Sequence, residues 1–427
     1  MTQQHLLFIG DIHGQYKKLQ ALLEHLDFIA DPLQERRYLV FLGDLIDNGP
    51  EAGIDHQGAL TMVKALCDQG LACCLMGNHE FNAVGWALKH SETGLPLRRH
   101  NDSNSKQHQR FLHDVDEESD LHKTWIDWFM RLPLFYDFGH VRAIHACWHE
   151  LSIKRILPYL NEDNSLKAEH WPNAFDERHE LYQLCEILLK GPELELPHGY
   201  SFWDKTGTER HRVRIKWWNE EAMTYRDIAQ VQPSMVNGIP SIPLADEHCN
   251  PMIEVPVVIG HYTLAGLPAP LSDKVVCVDY NAASVQGELV AYSWRHDVTP
   301  HQLHERNFNY LSDMEFGQKG VAAMRVLFNQ LADRYSPVLL KPEKWEEIRQ
   351  CLLNHWDPAF VSGFDECRDE YDDYLTPLAT LAQQASWGEL SCYLMGITKI
   401  YFSQDMKPDA ADSLAKRLRL VMNPELD

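Results

Sequence analysis

The 427-residue chain is short of positive charge: 39 Lys plus Arg face 62 Asp plus Glu, a formal balance of −23 at pH 7. A surface of that sign repels phosphate backbones, which argues against extended binding to nucleic acid or to an anionic membrane. Any anionic substrate must meet cations gathered locally. Long apolar runs are also missing. The longest stretch without acidic or basic residues, Val255 to Ser272, is broken by Pro256, Pro268 and Pro270 and contains His261, so no membrane span is expected. Met1-Thr2-Gln3-Gln4-His5 leads straight into Leu6-Leu7-Phe8-Ile9 with no basic region and no cleavage-site pattern, so no secretion signal is expected either. The ten cysteines include no CxxC pair, only adjacent Cys73-Cys74. They read as buried free thiols of a reducing compartment, and a cytoplasmic location follows as the expectation.

What is present is the composition of a folded protein, 44% hydrophobic and 24% charged, long enough for two or three domains at roughly 150 residues each. Short apolar runs at Leu6–Ile9, Tyr38–Leu42, Ala72–Met76, Val141–Ile144, Val255–Ile259, Lys274–Val278 and Glu288–Trp294 read as strands buried on both faces. Leu19, Leu22, Leu23 and Leu26 keep helical spacing between the first two, and Leu60, Val63 and Leu66-Cys67 do so between the next two. The beginning is therefore β-α-β-α-β, an α/β class. The polar, histidine-rich segment Lys89 to Lys123 reads as a surface excursion, with a lid as the alternative. Further on, Asp204-Lys205-Thr206-Gly207 signals a hairpin turn, and Arg210, Arg212, Arg214 and Lys216 alternate with His211, Val213, Ile215 and Trp217. Period two puts those cations on one strand face, either solvated or facing a phosphate.

After Arg295 helical spacing takes over, at Trp345, Ile348 and Leu352 and again at Leu414, Leu418 and Val421. The expected organisation is a first domain over 1–300 and an all-helical domain over 301–427. Asp365 to Tyr374 holds six acids in ten residues, but without a sharp-turn glycine it reads as a solvated helix face rather than a calcium loop.

Chemistry concentrates at the strand ends, where loops of α/β proteins converge. Gly10-Asp11-Ile12-His13, Gly43-Asp44, Gly77-Asn78-His79-Glu80, His145 and Gly260-His261 each follow a strand. Asp, Asn and imidazole together describe a borderline transition-metal site. Asp11 and His13 can grip one ion from one loop, Asp44 can share its two oxygens between two ions, and Asn78, His145 and His261 complete the second sphere. Each motif alone is weak, since a strand-end His is usually a capped structural residue; the ordered set carries the reading.

GDIHG at 10–14, GDLIDNG at 43–49, GNHE at 77–80, IHA at 144–146 and GHY at 260–262 resemble the ordered motifs of the calcineurin-like metallophosphoesterases, and within them the phosphoprotein phosphatase branch. The resemblance covers about residues 5 to 295. It implies a β-sandwich flanked by helices, which strand counting by itself does not separate from a doubly wound single sheet. It further implies that Asp11, His13 and Asp44 hold one metal, that Asp44, Asn78, His145 and His261 hold the other, and that His79 is the general acid oriented by Asp47. Two divalent cations are the implied cofactor, Mn2+ first, with Fe, Zn or Mg as alternatives. Their charge would draw phosphate to one spot of an acidic molecule.

Two departures stand out. Asn48 occupies the position where the phosphatases carry an arginine that grips the substrate phosphate, so Arg212 or Arg214 is the expected replacement beside Asn48 itself. Ala146-Cys147 replaces two glycines, and dinucleoside tetraphosphatases of the same family tend to have Ala-Gly there. The tail, with LLNHWDP at 352–358 and DEYDDY at 369–374, resembles a small helical bacterial module of undefined role and is a candidate docking surface for a protein partner. The expected function is metal-dependent hydrolysis of phosphomonoesters, phosphoproteins among them. The alternatives are hydrolysis of nucleoside polyphosphates or dinucleoside tetraphosphates, and a metal-bound scaffold without turnover.

Overall fold

In the computed structural model the described residues are 5–26, 28, 37–48, 53–203, 208–231, 233–245, 252–264, 268–284, 287–296, 303–311, 335, 338, 340–358, 371–402, 404 and 406–423. In chain order the strands are β1 His5–Ile9, β2 Arg37–Phe41, β3 Ala72–Cys74, β4 Phe135–Asp137, β5 Arg142–Ile144, β6 Glu193–Glu195, β7 Phe202–Trp203, β8 Glu209–Arg210, β9 Arg212–Arg214, β10 Val257–Ile259, β11 Val275–Cys277, β12 Asp279–Tyr280, β13 Glu288–Arg295 and β14 Phe308–Tyr310. Two sheets matter for the site. One runs β12-β13-β1-β2-β3, with β14 also on β13; the other runs β11-β10-β5-β4. Strands β1, β2 and β3 are parallel, with Phe8 opposite Val40 and Val40 opposite Cys73, while β13 returns antiparallel to β1.

Alternation along these strands explains why two sheets form rather than one. Leu6, Phe8, Val40, Leu42, Cys73 and Leu75 point one way and meet Val141, Ala143, Val258, Val276 and Val278 of the second sheet in a shared core. Their neighbours Leu7, Ile9, Leu39 and Phe41 point the other way, under helices α1 (Tyr16–His25) and α2 (His56–Asp68), which contribute Leu19, Leu22, Leu23, Ala59, Leu60 and Val63. The mixed α/β sandwich flanked by helices is therefore the observed architecture. Among the described residues, seven cysteines are free thiols, and no helix is long and apolar enough to cross a membrane.

The polar segment Lys89 to Lys123 departs from the expected surface excursion. After α3 (Asn78–Ala87) it forms α4 (Asp102–Val115) and enters α5 (Asp120–Phe129). Asn101 caps α4 through the Asn104 N–H, and Ser119 caps α5 through the His122 N–H. Helix α4 buries His108, Phe111, Leu112 and Val115, an i, i+3, i+4, i+7 face. Its first member is a histidine, so a hydrophobic pattern alone does not reveal it. The expected basic strand is also divided. Arg210 lies in β8, paired with β7, whereas Arg212 and Arg214 lie in β9, paired with β6. The turn at 204–207 lies outside the described residues.

The chain separates into two compact units, residues 1–231 with 235–311, and residues 232–234 with 312–427. In the second, helices Pro342–His355, Asp372–Gln384, Trp387–Phe402 and Pro408–Met422 bury Ile348, Leu352, Leu375, Leu378, Leu390, Leu394, Leu414 and Leu418. Arg349 donates to both carboxylate oxygens of Asp372 at 2.7 and 2.6 Å. Most of the acidic run, 365–370, lies outside the described residues.

Candidate metal centre

The strand ends converge as their parallel order requires, and the loops there are strained. His13, Asp44, Asp47, Asn48 and His261 all adopt positive φ, at 48°, 52°, 65°, 51° and 70°. Non-glycine residues are held in this region only where surrounding structure enforces it, and such positions gather at functional sites. Two glycines allow the loops to approach. A Cβ on Gly77 would stand 2.2 Å from the Asp44 nitrogen, and one on Gly260 would stand 2.2 Å from Asp11 Oδ1.

Asp44 is the hub. Ligand-capable atoms of His13, Asp44 and His79 lie within 4.8 Å of one another, and so do those of Asp44, His145 and His261. Asp44 Oδ1 also accepts the backbone N–H of His79 at 3.0 Å, at the N-terminus of α3. Backbone carbonyls set two rings: His13 Nδ1–H donates to Ile46 at 2.8 Å and His145 Nδ1–H donates to Leu42 at 2.7 Å. Each Nε2 lone pair is thereby turned inward, the way outer partners orient metal-binding imidazoles. Asn78 Oδ1 lies 3.1 Å from His145 Nε2 and 2.8 Å from His261 Nδ1. The expected partner of His13 and Asp44, Asp11, stands outside their triad; its two carboxylate oxygens accept the His261 N–H at 3.2 and 3.1 Å.

The donors fit divalent cations. Asp11, Asp44, Glu80 and Asp279 are buried together. Burial, then Asp279 and Asp44, pushes the Asp11 carboxyl well above the usual carboxylate range. Burial and Asp44 raise Glu80 to about 7. Desolvation works against the charged form of His79, yet Asp44 and Asp47 outweigh it and bring the imidazole to about 9. With the protein's own groups alone, Asp11, Glu80 and His79 are drawn toward their protonated forms, while burial first of all lowers His13 and His261 and keeps their lone pairs free. Cations at the same place would offset the crowded carboxylates without protons.

His79 is held on both sides. Its Nδ1–H donates to Asp47 Oδ2 at 2.9 Å, and its Nε2 lies 2.9 Å from the Asn48 amide. Arg214 reaches the site, with Nη1 donating to His261 Nε2 at 3.2 Å. Arg212 does not; its side chain is 59% exposed and pairs with Glu193 at 3.6 Å.

Three further residues belong to the site. Glu80, legible within GNHE, accepts the N–H groups of Asp44 and Leu45, both at 2.8 Å, and of Gly77 at 3.1 Å, which ties the loops after β2 and β3 together. His108, fully buried on α4, donates from Nδ1 to Asp47 Oδ1 at 2.9 Å. His56 accepts the Asp47 N–H at 3.2 Å through Nε2 while its Nδ1–H donates to Asp114 at 2.8 Å. Neither histidine lies in a motif.

A calcineurin-like phosphoesterase family model matches residues 5–243. This chain belongs to that family. The matched span holds every site residue named above except Gly260, His261 and Asp279. The sequence is 30% identical over 138 residues to a symmetrical bis(5'-nucleosyl)-tetraphosphatase of Dechloromonas aromatica, an alignment covering 32% of this chain and 42% of that protein. It is 42% identical over 79 residues to the asymmetrical bis(5'-nucleosyl)-tetraphosphatase PrpE of Geobacillus thermodenitrificans, covering 18% of this chain and 31% of that one. The chain thus spans less than half the length of these relatives. Among solved structures, a protein serine/threonine phosphatase of Saccharomyces cerevisiae aligns over 73% of this chain and 80% of its own, at 12% identity and a TM-score of 0.37. A cold-active protein-tyrosine phosphatase of a Shewanella species aligns over 72% and 80%, at 17% identity and a TM-score of 0.37.

Proposed function

We propose that this phosphoesterase-family chain is a two-metal hydrolase whose substrate is a nucleoside polyphosphate of the dinucleoside tetraphosphate class. The observation that carries the hydrolytic reading is the shared position of Asp44 between two clusters of ligand-capable atoms, His13 with His79 on one side and His145 with His261 on the other, with His79 also closed on Asp47 at 2.9 Å. The substrate class draws support from the named activities of the bacterial relatives.

Asp11, His13 and Asp44 would hold one ion and Asp44, Asn78, His145 and His261 the other, manganese being the first choice. When bound, two such cations supply a nucleophile at neutral pH and Lewis acidity toward the phosphoryl oxygens. The protein's own side chains do the remainder. Asp47 keeps the His79 proton on Nδ1 and stabilises the imidazolium, so Nε2–H faces outward as the proton donor to the leaving oxygen. The Asn48 amide nitrogen, 2.9 Å away, can donate to that tip only once Nε2 has given up its proton. Lacking charge, Asn48 cannot grip a phosphoryl group as an arginine would, and Arg214 is the cation left to do so. Glu80 holds the Asp44 loop against α3 so that the carboxylate keeps its shared position.

A second reading, hydrolysis of phosphomonoesters, is favoured by the same His79–Asp47 pair, because an alkoxide leaving group needs a proton far more than a phosphate does. The two are separated by reconstituting the purified protein with Mn2+ and measuring release from a dinucleoside tetraphosphate, a phosphopeptide and p-nitrophenyl phosphate. The expected order puts the dinucleotide first, with turnover abolished in Asp44→Asn. A phosphopeptide preference assigns the monoester reading, and release from none of the three refutes both.

A further inference from the structure

The geometry points to the cleft between Asn48 and helix α4 as the subsite for the leaving group, shaped for one that carries a phosphate chain. This subsite rests on the two-metal reading above and adds where the second half of the substrate lies. The cleft encloses about 770 Å3 and opens beside Asn48, with Ser103, Lys106, Gln107, Arg110 and His113 along its α4 wall.

Its side of the reaction is fixed by His79. In an in-line displacement the group that protonates the leaving oxygen stands on the departing side. The His79 Nε2 atom is 2.9 Å from the Asn48 amide, and Asn48 lines the cleft. A group leaving past His79 therefore enters this space.

Its wall is one helical face. Ser103, Lys106, Gln107 and Arg110 follow i, i+3, i+4, i+7 spacing on the side of α4 opposite the buried His108, Phe111, Leu112 and Val115. Burying the inner face fixes the outer one. The histidine that anchors α4 to Asp47 thus also sets the distance between the acid and the cleft wall.

Charge gives the ligand class. In a chain with a balance of −23, among the described residues no carboxylate lines the cleft, whose ionisable groups there are Lys106, Arg110 and His113. Lys106 forms no ion pair among the described residues. Behind Gln107 stands Arg98, which donates from Nη2 to Gln107 Oε1 at 2.9 Å and to Asn104 Oδ1 at 3.1 Å. Its buried Nη1 has no hydrogen-bond partner. Arg110 and His113 both approach Asp114, at 3.0 and 3.4 Å, and Arg98 behind the wall is favoured by the Asp47 carboxylate, so Lys106 carries the least compensated charge and Arg98 adds to the positive field. A monoester has its only phosphate at the metal ligands and leaves these cations unused. A phosphate chain extends toward them, beyond the scissile phosphate that Arg214 faces.

The test compares wild type with Lys106→Gln and a charge-matched control away from the cleft, Lys154→Gln, all loaded with Mn2+ and checked for folding by thermal melts. Calorimetry with inorganic tripolyphosphate and with orthophosphate reads binding without turnover. The cleft variant should weaken tripolyphosphate about tenfold or more relative to orthophosphate, the worth of one charged hydrogen bond. Its ratio of kcat/KM for a dinucleoside tetraphosphate to that for p-nitrophenyl phosphate should fall by a similar factor, with the control ratio steady. Equal weakening of both anions, or unchanged tripolyphosphate affinity, overturns the subsite. If no variant or wild type turns over either substrate while the tripolyphosphate difference persists, the catalytic reading fails and the subsite stands. If turnover is intact and neither ratio moves, the reverse holds.

Discussion

His108→Phe isolates what the second histidine on Asp47 contributes. Phenylalanine keeps the ring against Trp86 and Phe111, 5.6 and 5.2 Å away between centroids, and removes the Nδ1–H that Asp47 accepts at 2.9 Å together with a buried Nε2 that has no partner. The buried carboxylate then lacks a donor, at a cost of about 1–3 kcal/mol. Since 1 kcal/mol moves the melting temperature by about 2–4 °C in units of 150–250 residues, the melt should drop by a few degrees. Acid sensitivity should change as well. Burial acts to raise the Asp47 carboxyl, but His108 and His79 together hold it well below the ordinary value. A depressed folded pKa contributes stability that is complete above about pH 4 and is lost as pH falls below it. Without His108 the depression shrinks, so wild type and variant should converge in stability as pH is lowered. Activity should fall through kcat rather than KM, by about tenfold, a fraction of what a general acid is worth. The loss should be larger for a phenyl phosphate than for p-nitrophenyl phosphate, whose leaving group needs less protonation. Urea melts across pH combined with steady-state kinetics on both esters check this. A lowered melt with kcat unchanged for both esters would refute the positioning role and leave His108 as packing.

Gly77→Ala should abolish metal-dependent activity and lower stability by about 1–3 kcal/mol, because its Cβ would stand 2.2 Å from the Asp44 backbone nitrogen; manganese binding by calorimetry with a thermal melt reads both effects. Arg214→Ala should raise KM for phosphate substrates by about tenfold, whereas Arg212→Ala, whose partner is Glu193, should stay within about twofold, and steady-state kinetics on the two variants distinguish them. Burial lowers the His56 pKa in spite of Asp114. The unfolded chain therefore binds the extra proton first, and stability should fall as pH drops through about 6.5. In His56→Gln that slope should become shallower in urea midpoints taken between pH 8 and pH 5, with His122 and His149, also lowered by burial, supplying part of the remainder.

The site was legible where its residues sit on their own strand ends. Asp11 and His13 after β1, Asp44 after β2, and Asn78 and His79 after β3 are each announced by an apolar run that stops at glycine or at a polar residue. Parallel pairing then makes all those ends point the same way. His108 and His56 carry no such signal. Each meets Asp47 only because a helix packs there, and His108 arrives from 61 residues away. Arg212 and Arg214 are equivalent by alternation; the pairing of β9 with β6 leaves Arg212 at the edge and Arg214 against His261.

The order of motifs and the alternating strands belong to the one-dimensional pattern, since strand period and ligand chemistry are properties of short segments. Which face of α4 turns inward, which arginine reaches His261 and how many partners Asp47 has were decided in three dimensions. These depend on burial shared between distant segments, and no short segment contains that information.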